Sequence, residues 1–205
     1  MRKLFLASSF KDVASIFEKF ANEDLKRKTV AFIPTASIPE SYKAYVGAGR
    51  KALEKLGLTV DELEISKATA EEIATKLKQT DYIYVTGGNT FYLLQELKRT
   101  EADKVIIEQI NLGKLYIGES AGCMVVSPDI EYAKGLDDCE KAPDLDEFSA
   151  LKIIDFYPLP HYTNFPFKKA VEKTIVKYES NLTLYPISNS QAILVNGTDI
   201  KVETK

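Results

Sequence analysis

The stretch Gly118-Glu119-Ser120-Ala121-Gly122 holds the strongest chemical signal in the sequence. Glycines two residues either side of a serine allow a tight strand-to-helix turn that lifts the hydroxyl above a sheet edge. The apolar Leu115-Tyr116-Ile117 precedes it and the helix-compatible Cys123-Met124-Val125-Val126 follows, which is the context a nucleophile elbow requires. There the amide of the residue after the serine can serve a developing oxyanion. A serine nucleophile also needs a base, and the chain has a single histidine, His161, in Leu159-Pro160-His161-Tyr162-Thr163-Asn164. Imidazole titrates near neutral pH, and a loop between a strand-like run and a helix is where α/β folds place active sites. A second glycine turn, Thr86-Gly87-Gly88-Asn89-Thr90, joins the apolar Tyr82-Ile83-Tyr84-Val85 to the helical Phe91-Tyr92-Leu93-Leu94. Its amides suit an oxyanion or a phosphate, and the competing reading is a simple turn capped by Asn89 or Thr90. It has no Walker lysine and no Gly-x-Gly-x-x-Gly spacing, which makes nucleotide binding the weaker choice. Cys123, about one helical turn past Ser120, reads as a small packed hydrophobe. With one histidine there is no metal cluster to read, so no metal and no cofactor are expected.

Positioning these groups requires a parallel sheet. Short β-branched, aromatic or apolar runs at residues 3–7, 29–33, 59–65, 82–85 and 115–117 predict strands, and helical periodicity alternates with them. One apolar stripe is Tyr42, Val46, Leu53 and Leu56, ending at Gly57. Others are Ala70, Ile73, Ala74 and Leu77; Ala102, Ile106 and Ile110; and Phe167, Val171, Ile175 and Tyr178. The acidic stretch 137–147 predicts a solvated loop. Towards the end, runs at 182–187, 191–195 and 199–202 are separated by Ser188-Asn189-Ser190 and by Asn196-Gly197, a hairpin signal that predicts closing antiparallel strands.

Composition narrows the function classes. The chain has 205 residues, 27 Lys and Arg against 30 Asp and Glu, and a formal charge of −3, which suits one globular domain over residues 1–205. That balance argues against a basic nucleic-acid footprint and against a polybasic membrane anchor. No run reaches the ~20 apolar residues that span a bilayer, and the start lacks a signal-peptide pattern. Cys123 and Cys139 are too few for a disulfide framework. The expected location is the cytoplasm.

Four segments in order, Gly87-Gly88-Asn89-Thr90, Gly118-x-Ser120-Ala121-Gly122, Pro160-His161-Tyr162-Thr163-Asn164 and Leu182-Thr183-Leu184, resemble the peptidase E (aspartyl dipeptidase) family of serine peptidases. The resemblance runs from near the N-terminus to about Val195. It implies a three-layer α/β/α sandwich with a mostly parallel sheet, flavodoxin-like and similar to class I glutamine amidotransferases, with serine in place of their cysteine. It also implies Ser120 as nucleophile, His161 as general base, and the Gly88 and Ala121 amides as oxyanion hole. Asn89 and Glu119 are the candidate substrate-binding side chains, with a surface position the competing reading for Glu119.

The sequence departs from the family at the third triad position. Aligning Leu182-Thr183 with the family's Leu-Thr strand places Asn189 where peptidase E carries an acidic residue in a Pro-Glu-Gly turn. Asparagine can accept from imidazole but cannot offer a full charge to imidazolium. The rival partners are Asp129, Glu131, Asp137 and Asp138 in the loop after the nucleophile. The family's Gly- and Arg-containing insertion after the histidine is also missing, leaving Lys168 and Lys169 as the nearest cations. The expectation is a serine-type hydrolase of a small peptide or amide, monomer or homodimer, that is not an efficient Asp-X dipeptidase. The alternative is a degenerate member that binds a peptide-like ligand without turnover.

Overall fold

The computed structural model describes residues 1–205. Nine strands form: β1 (Lys3–Ala7), β2 (Thr29–Ile33), β3 (Thr59–Glu62), β4 (Tyr82–Val85), β5 (Leu115–Glu119), β6 (Tyr157–Leu159), β7 (Leu184–Pro186), β8 (Gln191–Asn196) and β9 (Asp199–Thr204). Seven α-helices accompany them: α1 (Phe10–Ala21), α2 (Ala44–Lys55), α3 (Ala70–Gln79), α4 (Thr90–Arg99), α5 (Ala102–Asn111), α6 (Ala121–Met124) and α7 (Lys168–Tyr178). The main sheet has the order β3-β2-β4-β5-β1-β8-β9. Its first five strands are parallel, and β8 and β9 add on antiparallel through the hairpin at Asn196-Gly197.

The side-chain alternation of the strands separates two apolar layers. Phe5, Val30, Phe32, Tyr82, Tyr84, Leu115 and Ile117 face Phe10, Val13, Phe17 and Leu53 of α1 and α2. Leu4, Leu6, Ala31, Ile33, Ile83, Val85 and Tyr116 face the side covered by α3 to α6. The architecture is therefore an α/β sandwich around a largely parallel sheet, consistent with a flavodoxin-like fold.

The structure differs from the sequence reading at three elements. The strand expected at 59–65 stops at Glu62, where β3 is a partly exposed edge. The run at 182–187 does not join the antiparallel end: β7 pairs parallel with β6 in a separate two-stranded sheet, which brings the Leu159 and Pro186 ends together. Helix α1 belongs to none of the apolar stripes identified, although its buried Phe10, Val13, Ile16, Phe17 and Ala21 recur at helical spacing.

Candidate functional site

The C-terminal edge of β1, β5 and β4 gathers the chemistry. Because these strands are parallel and adjacent, Ser8, Ser120 and Gly87-Gly88 emerge side by side, where open α/β sheets bind ligands. Ser120 has φ 50° and ψ −108°, a strained conformation for a residue with a side chain, and its amide donates to Ala7 O at 2.9 Å. The flanking glycines make the turn possible by close packing. A Cβ on Gly118 would lie 2.4 Å from Gly122 O, and one on Gly122 would lie 2.3 Å from Val85 O. A Cβ on Gly87 would lie 3.1 Å from Ser120 Cβ, so the second glycine turn lies directly against the serine.

His161 follows β6 and itself has φ 66°. Its Nε2 lies 2.9 Å from Ser120 Oγ, and its Nδ1 lies 3.1 Å from Asn189 Oδ1. Asn189 sits in the turn between β7 and β8, and its amide donates to Asn164 Oδ1 at 2.8 Å, tying that turn to the histidine loop. The Phe167 ring stacks on the imidazole at 4.6 Å between centroids. Burial lowers the His161 pKa below its ordinary value, and the hydrogen bond to Asn189 opposes that shift.

The structure thus brings Ser120, His161 and Asn189 together in one polar chain, and leaves the rival acids elsewhere. Asp129 accepts from the Tyr157 hydroxyl, Glu131 pairs with Lys134, and Asp138 accepts from Glu140 N. Asp137 accepts from Thr90 N at the start of α4. Burial pushes its carboxyl up to about 6, against the Thr90 hydrogen bonds that pull it down. The acidic stretch is therefore not uniformly a solvated face: Asp137 packs inward to cap a helix.

The two candidate substrate-binding side chains are buried and bonded within the chain. Glu119 is 4% exposed, which excludes a surface position. Strand alternation puts it on the face of Leu115 and Ile117, where its oxygens accept from Phe10 N and the Tyr84 hydroxyl, both at 2.8 Å. Burial raises its pKa and these bonds oppose the rise. Asn89 is 1% exposed and is used at both ends: Oδ1 accepts from Tyr92 N as the α4 cap, and Nδ2 donates to Asp138 O. Gly88 has φ 136° and its amide has no acceptor in the chain, while Ala121 opens α6, where amides lack intrahelical partners. Cys123 is fully buried among apolar neighbours, which pushes its thiol pKa up. No three His, Cys, Asp or Glu side chains converge on a point that could hold a metal ion.

Sequence reasoning missed Ser8, which is 2% exposed and touches both His161 and Asn189. The available signal was a polar residue directly after an apolar strand, at the sheet edge that carries the nucleophile.

A serine at a glycine elbow with an imidazole on its hydroxyl, set at the C-terminal edge of a parallel sheet, defines a serine-type hydrolase on an α/β scaffold. The chain belongs to peptidase family S51, whose family model matches residues 4–203. It is 54% identical over 200 residues to an uncharacterized peptidase of Listeria monocytogenes, spanning 98% of this chain and 97% of that one. Over 196 residues it is 52% identical to an uncharacterized peptidase of Pasteurella multocida, spanning 96% and 94% respectively. A crystal structure of a candidate peptidase E protein from Listeria monocytogenes EGD-e matches with a TM-score of 0.96 at 52% identity, covering 100% of this chain and 99% of that one. These similarities make the chain a serine peptidase of the peptidase E type.

Proposed function

We propose that residues 1–205 act as one catalytic domain that hydrolyses an amide bond in a small peptide through Ser120, His161 and Asn189, without a cofactor. The observation that carries this reading is the 2.9 Å approach of Ser120 Oγ to His161 Nε2 at a strained, glycine-flanked turn. Ser120 Oγ attacks the carbonyl carbon while His161 Nε2 takes the hydroxyl proton; that proton then passes to the leaving amine as the C–N bond breaks. Water attacks the acyl-enzyme with His161 again as base, releasing the acid and restoring Ser120. Asn189 holds the Nδ1 side of the ring. The Gly88 and Ala121 amides receive the developing oxyanion, a role supported by the free Gly88 N–H and by the contact of Gly87 with Ser120. In this reading the sandwich is that of class I glutamine amidotransferases with serine replacing cysteine, and the protein works in the cytoplasm as a monomer or homodimer, apart from nucleic acid and membranes.

The reading includes weak activity on dipeptides with N-terminal aspartate. A bound carboxylate needs a cation, and the arginines are engaged or placed elsewhere. Arg2 donates to Asn111 and Ile153 O, Arg50 pairs with Glu62, Arg99 pairs with Glu96, and Arg27 lies exposed in the turn before β2. Lys168 and Lys169 are exposed at the start of α7. An uncompensated buried charge costs several kcal/mol, so kcat/KM for Asp-Leu is expected below about 10⁴ M⁻¹s⁻¹.

The experiment is incubation with a fluorophosphonate followed by mapping of the adduct by mass spectrometry. The reading requires the adduct on Ser120. An intact protein that gains none, under conditions that label an active serine peptidase, contradicts it.

A further inference from the structure

We propose that Ser8 is a positioning residue of this site, selecting the face of the Asn189 carboxamide that His161 meets and so fixing the imidazole tautomer that can accept the Ser120 proton. The inference rests on the reading of Ser120 and His161 given above.

A carboxylate partner presents an oxygen to the imidazole whichever way it turns. A carboxamide does not: it presents either oxygen or NH₂, and only the oxygen face accepts from Nδ1–H. Replacing an acid by asparagine therefore creates a need for something that chooses the face. Ser8 Oγ meets that need through its own hydrogen-bond arithmetic. A hydroxyl has one proton and two lone pairs. The His161 backbone N–H, which can only donate, lies 2.8 Å from Ser8 Oγ and occupies one lone pair. The hydroxyl proton goes to Asn189 Oδ1 at 2.6 Å. That bond turns the carboxamide oxygen inward, 3.1 Å from Nδ1, and Ser8 Oγ itself lies 3.0 Å from the same nitrogen. Two acceptors then face Nδ1, so Nδ1 carries the proton and Nε2 is left as the acceptor beside Ser120 Oγ.

Ser8 is held for this task from both sides. Ala7 O accepts from Ser120 N, and Phe10 N donates to Glu119 Oε1, so the β1–α1 turn is bracketed by the residues of the nucleophile strand. The same Ser8 oxygen anchors the His161 backbone at its positive φ, so one buried hydroxyl sets the main chain of the base and the side chain of its partner.

Because His161 is the only histidine, ring ¹⁵N signals report the tautomer without assignment ambiguity and without turnover. At about pH 8, where imidazole is neutral, the wild type is expected to show a single Nδ1-protonated ring. Ser8→Ala is expected to show mixed tautomers and to slow fluorophosphonate labelling of Ser120 by about tenfold or more. Adding Asn189→Asp to Ser8→Ala should restore one tautomer and most of the labelling rate, because a carboxylate needs no face selection; a purely structural Ser8 would not be rescued this way. Ser8→Thr keeps the hydroxyl and should keep the wild-type ring signals even where the alanine variant fails to fold. The proposal is overturned by a Ser8→Ala protein that retains a single Nδ1-protonated tautomer, or by loss of that tautomer in Ser8→Thr. If the wild type does not label at all, the hydrolase reading fails, while the ring signals still decide the role of Ser8.

Discussion

The two halves of the site are built in opposite ways. The serine half is backbone packed on backbone: Gly118 against Gly122, Gly122 against Val85, Gly88 against Ala36, with side chains absent where the main chains approach. The histidine half is side chains: Ser8 and Asn189, from distant parts of the chain, meet the imidazole, and Asn164 of the histidine loop holds the Asn189 backbone. The first kind of construction tolerates no added atom and is fixed with the fold. The second can be retuned by exchanging one polar residue for another, and Asn189, proposed above as the partner of His161, lies in that half.

The largest effect separates activity from stability. His161→Ala should lower fluorophosphonate labelling of Ser120 by about 10³-fold, within the range general bases contribute, with a smaller loss of stability than the glycine variants, since only the Phe167 stack and the polar contacts of one ring are lost. The opposite pattern is expected in the serine half. Gly122→Ala would force a Cβ to within 2.3 Å of Val85 O, and Gly88→Ala would put one 2.2 Å from Ala36 O at a φ of 136°. Each should destabilise by about 3 kcal/mol or more in urea unfolding. If instead the glycine variants are stable and merely inactive, the packing description of that half is wrong.

That contrast also governs what could be read from the sequence. Glycine turns are local, so Gly87-Gly88 and the Gly118 to Gly122 elbow were legible as soon as strands were seen before them, as was the Asn196-Gly197 hairpin. The parallel core strands were legible for the same reason, from short apolar runs of the right length. Ser8 was not, because the one local signal, a polar residue after an apolar strand, does not name its partners, and His161 and Asn189 come from far along the chain. Glu119 could have been placed by strand alternation with Leu115 and Ile117, yet its neighbour's chemistry suggested a pocket role. Asn89 was correctly open to a capping role, and the structure uses its whole side chain that way.

Smaller effects sharpen the histidine half. Asn189→Ala should slow Ser120 labelling, and Asn189→Asp should raise it, because a carboxylate stabilises the imidazolium formed as the proton transfers. The reverse exchange in a trypsin-type triad lowers turnover by about 10⁴, with tautomer loss contributing, so the gain here should be well below that. Asn164→Ala removes only the support for the Asn189 backbone and should cost about 1 kcal/mol locally, read as faster amide exchange in the 188–190 turn with a modest fall in labelling.

The most direct measurement is the pH dependence of the second-order rate of Ser120 labelling. His161 must be unprotonated to act as base, burial holds its pKa below 6.5, and its partners Ser8 and Asn189 are uncharged. The rate should therefore rise through a midpoint below pH 6.5 and stay flat above it, and Asn189→Asp should move that midpoint upward. A midpoint above 6.5 in the wild type, or the same profile surviving in His161→Ala, would contradict activation of Ser120 by a neutral histidine held without charge.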